Sequence, residues 1–517
     1  MRQILAVSCN RENYEYDIHA LVQSFYPTMQ VKVLLPEKWG EQGVSADVVV
    51  SISDDKAQMI FRMRDGEVFA SGGGQTDGCS DTLLKSTKEQ ADHSHKYVMS
   101  LPAEKVKAKA AFKHFLYETL CAETKMTLPW GNLTGIRPTK LAMELIERGA
   151  SGEDVVLFLQ KEHDVSPEKA ALCLDIALRE KSILEQLDGE NGYSLYIGIP
   201  FCPTTCLYCS FTSYPVSVWE KRMDEYLDCL CKEIDYVREA FGGKAPETLY
   251  IGGGTPTSLS PERLERLLHK LEETFPLKDL KEFTVEAGRA DSITREKLQV
   301  IRRHHVTRIS VNPQTMKEET LRIIGRRHTA AQVREAFIMA REEGFDNINM
   351  DLILGLPGEN AEDVARTIGA VRELAPDSLT VHSLALKRAS RLNQWIEENG
   401  IETLCNTDET MAIAAAGAKE MGMEPYYLYR QKNMFGNFEN TGYAKPGKNG
   451  IYNILIMEEK QTILALGAGS ISKRVYPDGR IERCENVKDV ALYIEKIDEM
   501  IERKRSLLSD ESIQFPQ

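Results

Sequence analysis

Three cysteines lie within eight residues, as Cys202, Cys206 and Cys209 in the spacing C-x3-C-x2-C. Thiolates held this close together favour a soft metal. A closed structural zinc site takes a fourth protein ligand, and no His or Cys lies near enough in the sequence to be an obvious one. An iron–sulfur cluster bound by three cysteines leaves one iron without a protein ligand, as a catalytic metal site requires. The cysteines alone therefore fit either a zinc knuckle or a cluster with one open iron.

The elements that would position this loop form a regular pattern. From Tyr193 onward, short apolar segments with strand character alternate with amphipathic helices. Such alternation indicates parallel strands joined by right-handed crossovers. We therefore predict an α/β fold with a partial (β/α)6 barrel rather than the closed eight-stranded form. The predicted strands are 193–199, 248–252, 282–287, 308–312, 347–354 and 378–386.

Distinctive small or polar residues lie in or directly after each predicted strand. In such folds the chemistry collects at the carboxyl ends of the strands. The cysteine loop follows the first strand, and a run of three glycines after the second would let a ligand approach the backbone, or form a plain turn. Convergence on one edge favours the cluster over the zinc knuckle. The positions beyond the cysteine loop are Gly252–Thr257, Glu286, Asn312, Gln314, Asp351 and His382.

Three charged residues at this edge have both a structural and a ligand-binding interpretation. Glu286 and Asp351 are carboxylates in otherwise apolar strands, so each needs a hydrogen-bonded or cationic partner. That partner could belong to a ligand, or be Arg289 or Arg308 in an internal salt bridge. Arg326 could bind a ligand carboxylate through its fork of donors, or end a helix as a solvated basic residue.

Composition describes an ordinary globular protein. The 517 residues are 42% hydrophobic and 27% charged, with a net charge of −14. The acidic balance disfavours nucleic acids and anionic membranes as partners. No apolar run approaches the ~20 residues of a membrane helix. The apolar stretch within the first eight residues is too short for a signal peptide. The 11 cysteines follow no disulfide framework, which indicates the reducing cytoplasm.

We predict four segments along the chain. Residues 1–100 form a small α/β domain with a hairpin at Asp65-Gly66, and residues 101–190 are helical. Residues 191–387 form the partial barrel, and residues 388–517 form a C-terminal α+β domain that would cover the substrate. Within the last segment, residues 453–457 have strand character and Pro477-Asp478-Gly479 marks a hairpin.

These motifs resemble known proteins. The cysteine spacing resembles that of the radical S-adenosylmethionine (SAM) superfamily. Over roughly residues 193–470 the chain resembles the oxygen-independent coproporphyrinogen III oxidase family, through YIGIPFC at 196–202, GGGTPT at 252–257 and DLILGLP at 351–357. The N-terminal extension and WGNLTGIRP at 130–138 are similar to a branch of that family found in anaerobic and facultative bacteria.

The resemblance implies a [4Fe-4S] cluster on the three cysteines, with SAM chelating the open iron. Gln314 and Asp351 would hold the ribose of SAM, Glu286 another of its polar groups and Arg326 its carboxylate. The glycine loop would receive the methionine ammonium, and Tyr208 matches the aromatic position near the adenine. The implied SAM-binding residues are Tyr196, Tyr208, Phe211, Gly253, Gly254, Thr255, Glu286, Gln314, Arg326 and Asp351.

The implied reaction is the oxidative decarboxylation of two propionates of coproporphyrinogen III to vinyl groups, which gives protoporphyrinogen IX. An electron from a donor such as flavodoxin or ferredoxin would split SAM into methionine and a 5'-deoxyadenosyl radical. A propionate-rich tetrapyrrole needs cationic contacts. Arg430 and Lys432 are our candidates for these contacts, with a plain lysine-rich surface as the alternative.

The chain departs from the family pattern at two places. Established dehydrogenases carry a fourth cysteine two residues after the third, and this chain has Phe211 there. Phenylalanine at that position is typical of members regarded as haem chaperones, but their His-Asn-x-x-Tyr-Trp pattern is missing. The stretch Arg430–Asn433 is instead similar to one in radical SAM methylases that open the haem ring. A haem carrier and a ring-opening methylase therefore stay as alternatives.

Overall fold

A computed structural model describes residues 3–41, 45–62, 87–91, 94–135, 137–387, 390–431 and 434–509. Contacts divide the chain into two units. The first comprises Met1–Asp175, Asn393–Thr403 and Tyr429–Glu439. The second comprises Ile176–Leu392, Leu404–Leu428 and Asn440–Gln517. This division differs from the four segments predicted from the sequence, which stay a prediction.

The first unit begins with a six-stranded sheet in the order β2-β1-β3-β4-β6-β5. β2, β3 and β4 alternate buried and more exposed side chains, and in β4 Ala57, Met59 and Phe61 face the core. The strands are β1 Ile4–Cys9, β2 Gln30–Leu34, β3 Val48–Ile52, β4 Lys56–Arg62, β5 Thr87–Ala91 and β6 Ser94–Ser100. The predicted hairpin at Asp65-Gly66 lies outside the described residues.

Helices cover this sheet and continue the chain. Helix α1 was not predicted, although Ile18, Leu21, Val22 and Phe25 recur at helical spacing and are buried. The helices predicted over residues 103–188 are confirmed, and Ser151 begins one of them with a capping box. The helices are α1 Glu15–Phe25, α2 Pro36–Glu41, α3 Lys105–Thr124, α4 Pro138–Glu147, α5 Gly152–His163 and α6 Pro167–Leu184.

The second unit is built on an 11-stranded sheet in the order β15-β16-β14-β13-β12-β11-β10-β7-β17-β18-β19, and β8 and β9 pair with each other in a separate two-stranded sheet. All six predicted strands are present as β7 and β10–β14, and their neighbours pair in parallel. The strands are β7 Tyr193–Ile199, β8 Phe201–Cys202, β9 Tyr214–Pro215, β10 Thr248–Gly253, β11 Glu282–Gly288, β12 Arg308–Val311, β13 Ile348–Leu354, β14 Ser378–Ser383, β15 Glu424–Tyr429, β16 Asn440–Ala444, β17 Thr462–Leu466, β18 Ile471–Val475 and β19 Ile481–Glu485.

The strands of residues 388–517 extend this same sheet. β17 pairs in parallel with β7 and is a seventh parallel strand, whereas β16 and β18 pair antiparallel at the two sides. The predicted hairpin between β18 and β19 is confirmed. These strands therefore lie beside the predicted barrel strands rather than in a sheet of their own.

Crossover helices join the parallel strands as predicted. The helices are α7 Val216–Trp219, α8 Met223–Ala240, α9 Pro261–Thr274, α10 Arg295–Arg303, α11 Glu318–Ile323, α12 Ala330–Glu342, α13 Ala361–Leu374, α14 Leu392–Asn399, α15 Asp408–Glu420, α16 Ile451–Glu458, α17 Val490–Glu495 and α18 Ile497–Leu508. The strand predicted at 453–457 is wrong, because those residues lie in α16. Tyr452 and Leu455 of α16 are one turn apart and pack against Tyr196 and Tyr250 of the sheet.

Within the described ranges, no helix is long and apolar enough to span a bilayer.

Candidate functional site

The cysteine loop leaves the carboxyl end of β7 and is fixed to the segment after α11. The Leu207 N–H donates to the Ile324 carbonyl at 3.0 Å. The Thr204 hydroxyl donates to the Gly325 carbonyl at 2.9 Å. All three cysteines are half-buried. The loop therefore holds its thiols close to the surface on a backbone with defined anchors.

Two guanidinium groups lie beside the central cysteine. Arg289 donates from Nη1 to the Thr204 carbonyl at 2.9 Å, and the same atom is 4.0 Å from the Cys206 sulfur. Its other side forms an ion pair with Asp291. Against the opposing effect of burial, the neighbouring His328 and Arg289 hold the pKa of that carboxyl well below its usual range. Arg326 also lies beside Cys206. The central thiol of the loop therefore lies beside two guanidinium groups.

The donor set fits an iron–sulfur cluster. Burial raises the pKa of the Cys202 thiol to about 11, so this thiol ionises when a metal binds it. Among the residues that the structure describes, no three His, Cys, Asp or Glu side chains lie close enough together to bind one metal ion. A cluster does not require such convergence, because each thiolate binds a different iron. Three thiols without an imidazole or carboxylate suit a cluster with one open iron.

The glycine loop after β10 packs directly on the backbone of the cysteine loop. A Cβ on Gly254 would lie 2.7 Å from the Phe201 carbonyl oxygen and 2.9 Å from that of Ile199. The N–H groups of Gly254 and Thr255 donate to these same two carbonyls, each at 2.8 Å. Gly253 has a φ of +108°, which favours glycine. The close approach of two backbones explains the glycines, and the two N–H groups are occupied within the protein.

Glu286 is a half-buried carboxyl near the carboxyl end of β11. The Tyr250 hydroxyl donates a short hydrogen bond to it. Burial raises the pKa of Glu286 to about 7, and the charge of Asp351 contributes to the rise. The ring of Tyr250 stacks with Tyr196 and Tyr452 at centroid distances of 6.1 and 4.6 Å. The hydroxyl that bonds Glu286 therefore belongs to a ring that is held in an aromatic stack.

Asp351 projects from β13 near two polar side chains. The Asn349 amide donates to its carboxylate at 2.6 Å, and His382 Nε2 lies 4.0 Å from its other oxygen. The internal salt bridges considered from the sequence do not form, because Arg289 pairs with Asp291 and Arg308 donates to Asn347 and to the Lys448 carbonyl.

Two buried acceptors lie after β12. Gln314 Oε1 and Asn312 Oδ1 have no hydrogen-bond partner among the described residues. The Gln314 backbone is in the left-handed region, with φ +68°, and its N–H donates to the Asp351 carbonyl at 2.9 Å. Buried acceptors without partners are costly, so a ligand with hydroxyl or N–H groups fits this place.

Arg326 is buried between the cysteine loop and the segment that follows β12. Its Nη1 donates to the Asn312 carbonyl at 2.5 Å and its Nη2 to the Tyr208 hydroxyl at 3.2 Å. The structure thus brings the predicted residues of β7 and β10–β13 to one edge of the sheet. The side chain of Phe211 is 77% exposed.

Sequence reasoning missed two members of this group. Tyr250 lies two residues before Gly252, so it occupies the same face of β10 as the glycine whose Cβ position is 3.1 Å from Glu286. The spacing of two residues between Tyr250 and Gly252 was therefore the signal in the sequence that could have identified Tyr250. Asn312 was noted only as a position after β12, and a sequence gives no sign of an unpaired buried acceptor.

Arg430 lies in the first unit and is bound internally. Its Nη1 donates to the Leu133 carbonyl at 2.6 Å, and its Nη2 donates to Asn437. The guanidinium lies 5.8 Å from the centroid of the Trp130 ring. Burial lowers the pKa of Arg430 to about 10. We therefore propose a structural role for Arg430 in place of the predicted substrate contact. Lys432 lies outside the described residues and stays a prediction.

Comparisons with known proteins agree with this site. A profile of the radical SAM superfamily matches residues 196–371. The oxygen-independent coproporphyrinogen-III oxidase-like protein HemZ of Bacillus subtilis is 42% identical over 390 residues, which cover 74% of this chain and 78% of HemZ. The heme chaperone HemW of B. subtilis is 32% identical over 59% of this chain and 76% of its own length. The oxygen-independent coproporphyrinogen III oxidase of Escherichia coli is 34% identical over 60% of this chain and 66% of its own.

Proposed function

Because the chain belongs to the oxygen-independent coproporphyrinogen III oxidase-like family of radical SAM proteins, which use a [4Fe-4S] cluster and SAM, we propose that it oxidatively decarboxylates the propionates of coproporphyrinogen III. One observation carries the proposal. The cysteine loop, Glu286, the unpaired acceptor of Gln314 and Asp351 lie in or directly after parallel strands of one sheet, towards its carboxyl edge. This is where a parallel α/β fold binds its ligands.

When bound, the cluster and SAM supply the one-electron cleavage that starts hydrogen abstraction. The residues of this chain would bind and orient the cofactor. The cysteines would hold three irons and leave the fourth for SAM. Gln314 and Asp351 would accept hydrogen bonds from the ribose hydroxyls, and ionised Glu286 would attract a cationic group of SAM. Tyr250 would keep Glu286 in position through its hydrogen bond.

The proposed reaction changes each propionate at two carbons. One hydrogen atom leaves the carbon next to the ring and ends on 5'-deoxyadenosine. The carboxylate leaves as CO2, and one electron passes to an external one-electron acceptor, so a vinyl group remains. One SAM is consumed for each propionate, and two such events convert coproporphyrinogen III to protoporphyrinogen IX.

The test is an anaerobic assay of the reconstituted protein with SAM, dithionite and coproporphyrinogen III. We expect 5'-deoxyadenosine and CO2 in equal amounts, together with the vinyl product by chromatography. Cys206→Ala protein, which keeps the other two thiols, should form none of the three. Formation of 5'-deoxyadenosine without CO2 would reject decarboxylation, and S-adenosylhomocysteine among the products would indicate methyl transfer instead.

A haem carrier is the second candidate, and Phe211 favours it. The side chain lies where established dehydrogenases carry a fourth cysteine, and its exposure leaves it available to an apolar ligand or protein. The 32% identity to a heme chaperone points the same way. Haem binding at one equivalent per chain, measured by absorbance titration, with no SAM cleavage under the assay conditions above would establish this candidate over the first.

A further inference from the structure

The cysteine loop lies in a long uncharged stretch of an acidic chain. No Asp, Glu, Lys or Arg occurs from Asn191 to Trp219, although the chain as a whole is 27% charged and carries a net charge of −14. The three cysteines in this stretch are only half-buried. A partner that approaches the cysteine loop therefore meets no carboxylate from the loop itself.

Three exposed arginines flank this loop, and we call Arg322, Arg327 and Arg391 the arginine rim. Arg322 and Arg327 bracket the segment whose carbonyls, Ile324 and Gly325, anchor the cysteine loop. Arg391 donates from Nη2 to the Thr205 carbonyl at 2.6 Å. The arginine rim is thus tied to the loop by backbone contacts on two sides.

The arginine rim differs from many of the arginines on the outer helices of this unit in its pairing. Among the described residues, none of its three members forms an ion pair with a carboxylate. Many arginines on the outer helices do form such pairs, namely Arg266, Arg295, Arg303, Arg334, Arg366 and Arg372. The acidic residue nearest to the rim in sequence is Glu319, which is exposed on α11. The rim therefore presents positive charge that the protein does not neutralise.

An exposed aromatic side chain lies next to the last cysteine. Phe211 is 77% exposed, and its backbone N–H bonds to the Cys209 sulfur. Val218, at the end of the same uncharged stretch, is 71% exposed. Phe211 and the arginine rim both adjoin the cysteine loop, Phe211 through Cys209 and the rim through Thr204, Thr205 and Leu207. Exposed aromatic and basic residues around one loop have the composition of a protein–protein interface.

We propose that Phe211 and the arginine rim form the docking surface for a small acidic electron-transfer protein. This inference rests on the proposed function, because each SAM cleavage consumes one electron that must come from outside the chain. The cysteine loop is where that electron can enter over a short distance. Complementary charge steers such partners together and makes their association sensitive to salt. Weak electron-transfer complexes need only a small contact area of this kind.

The test compares two electron sources for the same reaction. Reduced flavodoxin is the protein probe, and dithionite is a small reductant that needs no docking surface. In the R322E/R327E variant at low salt, we expect 5'-deoxyadenosine formation driven by flavodoxin to fall about tenfold or more. Formation driven by dithionite should equal that of the wild type. The wild-type rate with flavodoxin should fall as salt rises, and the variant should lose most of this dependence.

The matched control reverses two lysines at the other edge of the sheet. Lys278 and Lys281 are exposed and precede the amino end of β11, whereas the cysteine loop follows the carboxyl end of β7. The K278E/K281E variant makes the same change in net charge and should keep both rates. Thermal melting of the two variants checks that both are folded.

Three outcomes would overturn the proposal. Equal losses with flavodoxin and dithionite would mean that the arginines serve the fold or the anionic tetrapyrrole. Unchanged rates in the R322E/R327E variant would mean that the partner binds elsewhere. If the K278E/K281E variant lost as much flavodoxin-driven activity as R322E/R327E, the loss would come from the net charge of the protein and not from the arginine rim. Because the readout is SAM cleavage, a selective loss with flavodoxin would support docking even if no CO2 formed and the decarboxylation proposal failed.

Discussion

Burial raises the pKa of Glu286, and the hydrogen bond from Tyr250 limits that rise. Tyr250→Phe removes the donor and keeps the ring in its stack with Tyr196 and Tyr452. A hydrogen bond to a charged group contributes about 1.5–3 kcal/mol. Since one pKa unit corresponds to about 1.36 kcal/mol, its loss should raise the pKa of Glu286 by about one to two units. The starting value is about 7.

The sign of the effect follows from the form of Glu286 that binds. The carboxylate attracts a cationic group of SAM, and the neutral acid does not. SAM affinity in the wild type should therefore rise with pH through about 7. In Tyr250→Phe the same rise should come at about pH 8 to 9. At pH 7.5 the ionised fraction falls from about 75% to roughly 3–25%, so SAM should bind about 3- to 25-fold more weakly.

Equilibrium dialysis of labelled SAM against the anaerobic, reconstituted protein over a series of pH values measures the midpoint. Tyr452→Phe is the matched control, because it removes a hydroxyl from the same stack and leaves the Tyr250–Glu286 bond in place. Its midpoint should stay at that of the wild type. If Tyr250→Phe also keeps the wild-type midpoint, ionisation of Glu286 does not govern SAM binding and the reasoning is wrong.

Three further predictions concern the backbone, an acceptor and a buried acid. Gly254→Ala places a Cβ 2.7 Å from the Phe201 carbonyl oxygen and should abolish iron and sulfide incorporation, whereas Gly369→Ala, which meets open space, should retain it. Gln314→Met removes an unpaired buried acceptor, so urea denaturation should show no loss of stability while SAM binding weakens at least about tenfold. Glu439→Gln breaks a buried ion pair and should lower the free energy of unfolding by about 3–5 kcal/mol, and an unchanged denaturation midpoint would contradict this.

The sequence predicts the parallel strands well because their signal is local. Each apolar strand is followed by an amphipathic helix, and such a repeat has few topological solutions. Strand β17 shows the limit of this reasoning. It pairs with β7 although some 260 residues separate them, and no local pattern specifies which edge a late strand will join. Helix α16 shows a second limit, because a short apolar run such as 453–457 has no decisive period.

The residues of the candidate site also divide into those with a local sequence signal and those whose role depends on distant residues. Glu286 and Asp351 could be found because a carboxylate in an apolar strand is anomalous in the sequence itself. The charge of Arg430 and its basic and aromatic neighbours in the sequence predict a substrate contact. In the structure Arg430 is buried, and its Nη donors bind the Leu133 carbonyl and Asn437 instead. Burial and pairing depend on residues far apart in the chain, so charge alone could not distinguish a ligand contact from an internal one.

Two sets of charged groups would serve two different partners. The half-buried carboxyls of Glu286 and Asp351 suit a cationic cofactor, and the exposed arginine rim suits an acidic protein. Salt screens exposed charges strongly and buried ones much less. Raising the ionic strength should therefore slow SAM cleavage driven by flavodoxin while the dissociation constant of SAM stays nearly constant. A parallel weakening of both would mean that the two charged surfaces do not act separately.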